Sequence, residues 1–236
     1  MIVLNSISKQ YRRKGRRVLD RISVIFPARA HIAILGPRNS GKSTFLRVLC
    51  GLETPTEGTI DRHMTVSFPV GSVIRVSSKL TILQFLKFSA GVHGVDHNEL
   101  ATFINRTLGM NMDLTRPMRD LMGAERRRLN FALGYALPFD CYLFDERISP
   151  DSRNGSDLFG KLFELRSSQS ATILATHSPQ TLKRYCDRDT LIYLLYQGRL
   201  NYMQDVGEAI ALFRQLPESE GPRLLGIEDP IDDSAV

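Results

Sequence analysis

Gly36-Pro37-Arg38-Asn39-Ser40-Gly41-Lys42-Ser43-Thr44 matches G-x-x-x-x-G-K-[ST], the spacing of a phosphate-binding loop. Before it, His31-Ile32-Ala33-Ile34-Leu35 reads as a short buried strand; after it, Thr44-Phe45-Leu46-Arg47-Val48-Leu49 continues with helical spacing. The chemistry needs that order of parts. Glycines at 36 and 41 let the backbone wrap closely around a phosphate that a Cβ would obstruct. Successive N–H groups and the following helix N-terminus then face the anion. Lys42 is set to reach the β- and γ-phosphates, and the Ser43 hydroxyl to ligate Mg2+. A Gly/Ser-rich surface turn that happens to carry a lysine would account for neither flank.

Working outward, the 236 residues suffice for one large α/β domain with a small insertion, whose core needs no staples. Hydrophobic content of 42% and charged content of 24% are ordinary for a globular protein. No apolar run approaches the roughly 18 to 20 residues of a membrane span, and Met1-Ile2-Val3-Leu4-Asn5 does not read as a signal peptide, so a cytoplasmic location is expected. The net charge of +6 would suit nucleic acid or an anionic membrane surface. Much of the excess sits in Arg12-Arg13-Lys14-Gly15-Arg16-Arg17 and Arg126-Arg127-Arg128. Neither run is interleaved with aromatics as in a single-strand binder, so solvated loops near nucleotide or anionic lipid are expected, and no nucleic-acid partner. Cys50, Cys141 and Cys186 are odd in number and widely separated, which suits small core fillers.

Upstream of the loop, Ile2-Val3-Leu4, Val18-Leu19 and Ile22 to Phe26 read as strands, with Pro27 closing the stretch. Tyr11 lies in the basic loop between them, and either stacks on a nucleotide base or is a half-buried strand-end tyrosine. Downstream, Gly51 to Ile60 is a helix stop, a turn and a return to strand, and Met64 to Phe68 looks like a further short strand. From Thr81 to about Leu137 the apolar spacing is helical, with Asp96-x-x-Glu99 as a capping box, so residues 72–137 read as a mostly helical insertion in an α/β core. The core resumes with Cys141-Tyr142-Leu143-Phe144-Asp145-Glu146, a buried parallel strand with two carboxylates at its C-terminal end, where open α/β sheets bind ligands. Asp145 can hold Mg2+, and Glu146 can orient or deprotonate an attacking water. A helix over roughly 155–166 follows, then a strand from Ala171 to Thr176 ending at His177, which can donate to a γ-phosphate or position the catalytic carboxylate. Leu191 to Met203 reads as a hairpin, Asp205-x-x-Glu208 caps a short helix over Ala209 to Gln215, and the acidic tail 217–236 as mobile.

Taken together, the phosphate loop, helical insertion, Asp-Glu strand end and strand-end histidine resemble an ATP-binding cassette ATPase over residues 1–216. The phrases Pro138 to Glu146, Arg128 to Leu133, Ser67-Phe68-Pro69 and Tyr185-Cys186-Asp187 are similar to the ATP-binding subunits of Gram-negative capsular polysaccharide exporters. The resemblance implies a P-loop NTPase with a mixed sheet flanked by helices, an inserted α-helical subdomain and an N-terminal antiparallel β-subdomain. It implies two subunits, alike or different, that sandwich ATP and Mg2+ between one phosphate loop and the partner's signature segment. They would drive integral membrane permease subunits from the cytoplasmic face of the inner membrane. Tyr11 would then stack on adenine, residues 36–44 hold phosphate, Asp145 the metal, Glu146 act as general base and His177 as the switch histidine.

The sequence departs from that pattern in the parts that couple two subunits. The signature Leu-Ser-Gly-Gly-Gln falls on Leu121-Met122-Gly123-Ala124-Glu125, leaving Met122 and Gly123 to face the partner's nucleotide. Met122 has no donor for a γ-phosphate, and Glu125 sets an acid near it. Losing one such donor typically costs roughly 10²–10³ in rate. Ser77 takes the place of the expected glutamine, with Gln84 too late, and Ser152 that of the aspartate after the metal carboxylate, with Asp151 one position early. A slow exporter ATPase and a nucleotide-holding subunit completed by a different partner are both compatible with these changes. A small-molecule P-loop kinase lacks support from the Asp-Glu pair, and a repair or translation cassette would need insertions the length leaves no room for. Phe85, Leu86, Phe88 and Val92 are candidates for receiving a permease helix, or are plain helix core.

Overall fold

The computed structural model describes residues 1–12, 15–70, 77, 79–108, 113–145 and 158–217, leaving aside the side chains of 107, 108, 158, 159, 161 and 162. Glu146, Asp151, Ser152, most of the loop around Ser77, Arg13, Lys14 and the tail from 218 lie outside the described residues. In chain order the elements are β1 (Ile2–Lys9), β2 (Leu19–Phe26), β3 (His31–Leu35), α1 (Lys42–Leu49), β4 (Glu57–Arg62), α2 (Ile82–His93), α3 (His97–Leu108) and a 3-10 turn at Met118–Asp120. Then come α4 (Gly123–Ala136), β5 (Cys141–Asp145), α5 (Leu158–Ser167), β6 (Ala171–Thr176), α6 (Pro179–Tyr185), β7 (Leu191–Tyr196), β8 (Arg199–Met203) and α7 (Val206–Gln215).

Two sheets enclose α1. One is antiparallel, in the order β2-β1-β4; the other runs β5-β6-β3-β7-β8, parallel except for β8. In β3, Ile32 and Ile34 face α1, and its Phe45, Leu46, Val48 and Leu49 pack on them together with Ile2, Leu4, Leu19 and Phe26 of the antiparallel sheet. Ala33 and Leu35 face the other way, onto Leu182 of α6 and Ala209 and Ile210 of α7. Both faces of the strand are covered, so its sequence is an unbroken apolar run. The hairpin β7–β8 turns at Gln197 and Gly198, both with positive φ (49° and 80°), and the Gly198 carbonyl accepts from Asp20 N–H, tying the two sheets together.

The helices α2, α3 and α4 bury a core of their own, with Phe85, Leu86, Leu100, Ile104, Leu129 and Leu133 at its centre. Side chains cap the starts of α2 and α3, the second at the expected Asp96. Thr81 and Gln84 form a reciprocal capping box at α2, and Asp96 Oδ1 accepts from the N–H groups of Asn98 and Glu99 at α3. Gln84 is therefore bound into a helix cap.

Several expectations are corrected. Met64 to Phe68 is not a regular strand: only isolated bridges at Val66 and Val70 join that stretch to β5, because Pro69 offers no N–H. Ser67 replaces the missing ladder, its Oγ accepting from Leu143 N–H at 2.9 Å. Of the helix expected over roughly 155–166, the described part is α5, Leu158–Ser167; residues 155–157 lie outside the described residues. Arg126-Arg127-Arg128 lies within α4 instead of a loop, and Arg126 Nη2 donates to the Met118 carbonyl at 2.7 Å. Phe85 and Leu86 are helix core, whereas Phe88 and Val92 are 65% and 64% exposed.

Candidate nucleotide site

β3 ends at Leu35 opposite Thr176 of β6, and β5 ends at Asp145 opposite Ala175, so the C-terminal ends of three parallel strands stop at one level. The loop 36–41 crosses this edge and feeds α1. Gly36 N–H donates to the Thr176 carbonyl at 3.2 Å. A Cβ on Gly36 would lie 2.5 Å from the Leu195 carbonyl oxygen and 2.7 Å from Ser40 Oγ, so only glycine fits there. Asn39 and Gly41 take positive φ (61° and 101°), which curls the backbone into a cradle; asparagine is among the few other side chains that tolerate it.

Lys42 is buried beneath this cradle. Its Nζ donates to the carbonyls of Gly36 at 2.8 Å and Pro37 at 2.7 Å and lies 3.3 Å from Ser40 Oγ. The next residue, Ser43, donates its hydroxyl to Asp145 Oδ2 at 2.6 Å. One oxygen comes from the first turn of α1 and the other from the last residue of β5, and they meet because β5 and β3, which leads into α1, end together. Two hard oxygen donors side by side at the mouth of a phosphate cradle fit magnesium, which takes one or two protein oxygens and fills the rest of its shell from phosphate and water. Thr44 Oγ1, on the first turn of α1, lies 3.1 Å from the Tyr11 hydroxyl.

His177 follows β6 directly, and its Nε2 lies 3.4 Å from Arg38 Nη2 on the phosphate loop. Behind it, Ser178 caps α6, its Oγ accepting from Thr181 N–H. Lys42, Ser43, Asp145, Arg38 and His177 are thus brought to one edge, with Glu146 next in sequence but outside the described residues. Tyr11 joins them from the antiparallel sheet, 40% exposed, through its contact with Thr44. Reading the sequence missed what holds this ring. Glu53 and Arg47 both bond the Tyr11 hydroxyl, and nothing in a short turn after a helix marks a glutamate for that role.

Met122 and Gly123 stand apart, at the N-terminus of α4 in the helical region; Met122 is the N-cap residue and is 74% exposed. Glu125 departs from expectation. It turns back, accepting from Met122 N–H at 3.0 Å and from Arg116 Nη1 at 3.3 Å. The Met122 N–H and, after it, Arg116 hold its carboxyl below the usual carboxylate range. Its charge is thereby answered locally.

A glycine cradle entering a buried helix from a central parallel strand, with an aspartate from a neighbouring strand on the loop serine, defines a P-loop nucleotide-binding domain. Residues 19–149 match the family described as ABC transporter, and the chain belongs to that family. It is 34% identical over 220 residues to the capsule polysaccharide export ATP-binding protein CtrD of Neisseria meningitidis serogroup B, covering 92% of this chain and 100% of CtrD. It is 33% identical over 218 residues to the ATP-binding protein BexA of Haemophilus influenzae, covering 91% of this chain and 99% of BexA. Among solved structures, an ATP-binding subunit of an ABC transporter has the same fold, with a TM-score of 0.68 at 19% identity over 85% of this chain and 88% of that one. The dimeric cassette MJ0796 follows at 0.65 and 18%, covering 85% and 96%. No helix among the described residues is long and apolar enough to cross a membrane.

Proposed function

We propose that this chain is the ATP-binding and ATP-hydrolysing subunit of an exporter of capsular or other surface polysaccharide. It works as a dimer of nucleotide-binding subunits with integral membrane permease subunits at the cytoplasmic face of the bacterial inner membrane. The observation that carries the nucleotide reading is the Ser43 hydroxyl on Asp145 at 2.6 Å, beside a cradle that has no room for a Cβ at Gly36. The substrate class rests on CtrD, a relative named for capsule polysaccharide export that this chain matches over its whole length.

In this reading Gly36 to Thr44 wrap the phosphates and Lys42 exchanges its loop carbonyls for β- and γ-phosphate oxygens. Ser43 and Asp145 hold Mg2+, and Tyr11 stacks on the base. The metal, once bound, would draw negative charge from the terminal phosphate oxygens. Glu146 orients and deprotonates the attacking water, while His177 donates to the γ-phosphate next to Arg38. The nucleotide is closed over by Met122 and Gly123 of a second subunit, whose exposed position at the start of α4 suits that role. Phe88 and Val92 on α2 offer an apolar surface to a permease helix.

A second reading is favoured by one observation, the thioether at 122 where a hydroxyl would serve both the cap and the phosphate. Here the chain holds nucleotide, and a different ATPase subunit supplies a competent signature. Mg·ATP hydrolysis by the purified chain, with and without Glu146→Gln, separates the two. Turnover abolished by the substitution supports the first; equal negligible rates in both proteins support the second.

A further inference from the structure

Glu53 lies just after α1, in the turn that leads to β4. Its Oε2 and Oε1 accept from the Tyr11 hydroxyl at 2.8 and 3.1 Å, and Oε1 also accepts from Arg47 Nε at 2.5 Å. Lys9 Nζ lies 3.4 Å from Oε2 and 5.3 Å from the centre of the Tyr11 ring. The phenol oxygen in turn takes Arg47 Nη2 at 3.3 Å and lies 3.1 Å from Thr44 Oγ1. An aromatic side chain in an outer loop thus has its polar end fastened to the helix that the phosphate loop feeds, while its ring stays partly in solvent.

Burial alone would push the Glu53 carboxyl up. The hydrogen bonds from Tyr11 and Arg47 and the charges of Arg47 and Lys9 outweigh it and hold the carboxyl below the usual range. The clamp is therefore ionised at neutral pH, where charge-assisted bonds are strongest.

We infer that Glu53, with Arg47, is a positioning residue for the base subsite: it fixes the Tyr11 ring at a set distance from the phosphate loop, so that a purine stacks on a ring already in place. This rests on the reading of residues 36–44 as the phosphate loop of a nucleotide site. A ring ordered in advance removes an ordering cost from binding. Stacking on it is tolerant of base identity, because every base has a π-face. Glu53 acts only through Tyr11 and has no part in holding phosphate.

Calorimetric titration of the full chain with ADP, GDP and inorganic pyrophosphate, each with magnesium, tests this. The proteins are wild type, Glu53→Gln, Tyr11→Phe, Tyr11→Ala and the double variant Tyr11→Ala/Glu53→Gln. Glu53→Gln and Tyr11→Phe should each weaken ADP and GDP about fivefold, the loss of roughly one hydrogen bond's net worth, and leave pyrophosphate unchanged. In the Tyr11→Ala background Glu53→Gln should add nothing. Unchanged ADP affinity in Glu53→Gln, or an equal loss for pyrophosphate, overturns the inference while the nucleotide site stands. A wild-type chain that binds none of the three ligands overturns the nucleotide reading and this inference with it.

Discussion

Lys42 shows how a single residue keeps a phosphate site formed before phosphate arrives. Its ammonium carries three protons, and the Gly36 carbonyl, the Pro37 carbonyl and Ser40 Oγ surround it within hydrogen-bonding range. Both carbonyls belong to buried residues; that of Pro37 also accepts from Ser40 N–H at 3.2 Å, while that of Gly36 takes its bond from the lysine. Lys42→Ala should therefore do two things. Nucleotide binding should be lost, and the ligand-free protein should also lose about 1–3 kcal/mol of stability, the cost of leaving the buried Gly36 carbonyl unsatisfied; urea unfolding without ligand measures it. An unchanged unfolding midpoint would mean the loop does not need the ammonium. Glu53 gives a prediction in pH. Its carboxyl is held below its ordinary value near 4.5, so it contributes stability above that value and loses it as pH falls through the lowered one. The melting temperature of wild type should exceed that of Glu53→Gln at neutral pH, and the gap should close in acid. Met122 makes a third case at this scale. Met122→Ser supplies an N-cap oxygen that α4 lacks, which should stabilise the fold by about 1 kcal/mol and raise ATP turnover; a gain in stability without a gain in rate would show a site rebuilt around the thioether.

At the scale of elements, the edge beside β5 is the place where side chain and backbone exchange roles. Ser67 is fully buried, and its hydroxyl serves the Leu143 N–H that a regular strand would have served with a carbonyl. Ser67→Ala should cost about 1–3 kcal/mol in urea unfolding, since it orphans a buried donor and leaves little new space. A threonine that keeps the oxygen should cost less if its methyl fits. None of this was legible beforehand, since alternation in Met64 to Phe68 looks the same whether the ladder is continuous or carried by a hydroxyl. The phosphate loop and β5 were legible for the opposite reason. Glycines at 36 and 41 and the run Cys141 to Asp145 answer to steric and burial demands that are local to the chain. The capping glutamate at 125 and the clamp at 53 answer to partners, Arg116 and Tyr11, that only the folded chain brings near. The same holds for the apolar stripe of α2. Its period announces a helix, but only packing decides that Phe85 and Leu86 go inward while Phe88 and Val92 remain outside.

Across the whole molecule, α4 is the element that couples the two lobes. Leu129, Ala132 and Leu133 pack into the helical core, while Phe131 and Tyr135 pack under Tyr142 and Phe144 of β5, the strand that ends at Asp145. Close approach at Gly134, where a Cβ would meet Val70 Cγ1 at 3.3 Å and Phe68 at 3.4 Å, fastens the same helix to the irregular edge. A rod so packed transmits displacement as a body. Its exposed N-terminus at Met122 is thereby joined through one helix to the strand that ends at Asp145. A nucleotide held between one subunit's phosphate loop and another's α4 would then bind the two chains through rigid parts, and its hydrolysis would release them. Glu146→Gln should leave Lys42, Ser43 and Asp145 intact while stopping water activation, so Mg·ATP should drive this variant into a dimer that ADP does not support. Size-exclusion chromatography with light scattering reads the mass directly. Adding Gly123→Trp should abolish that dimer with ATP still bound by each chain, because the bulk lies at the tip of α4 and away from the phosphate loop. A dimer that forms equally with ADP, or that survives the tryptophan, would place the contact between subunits elsewhere than across the nucleotide.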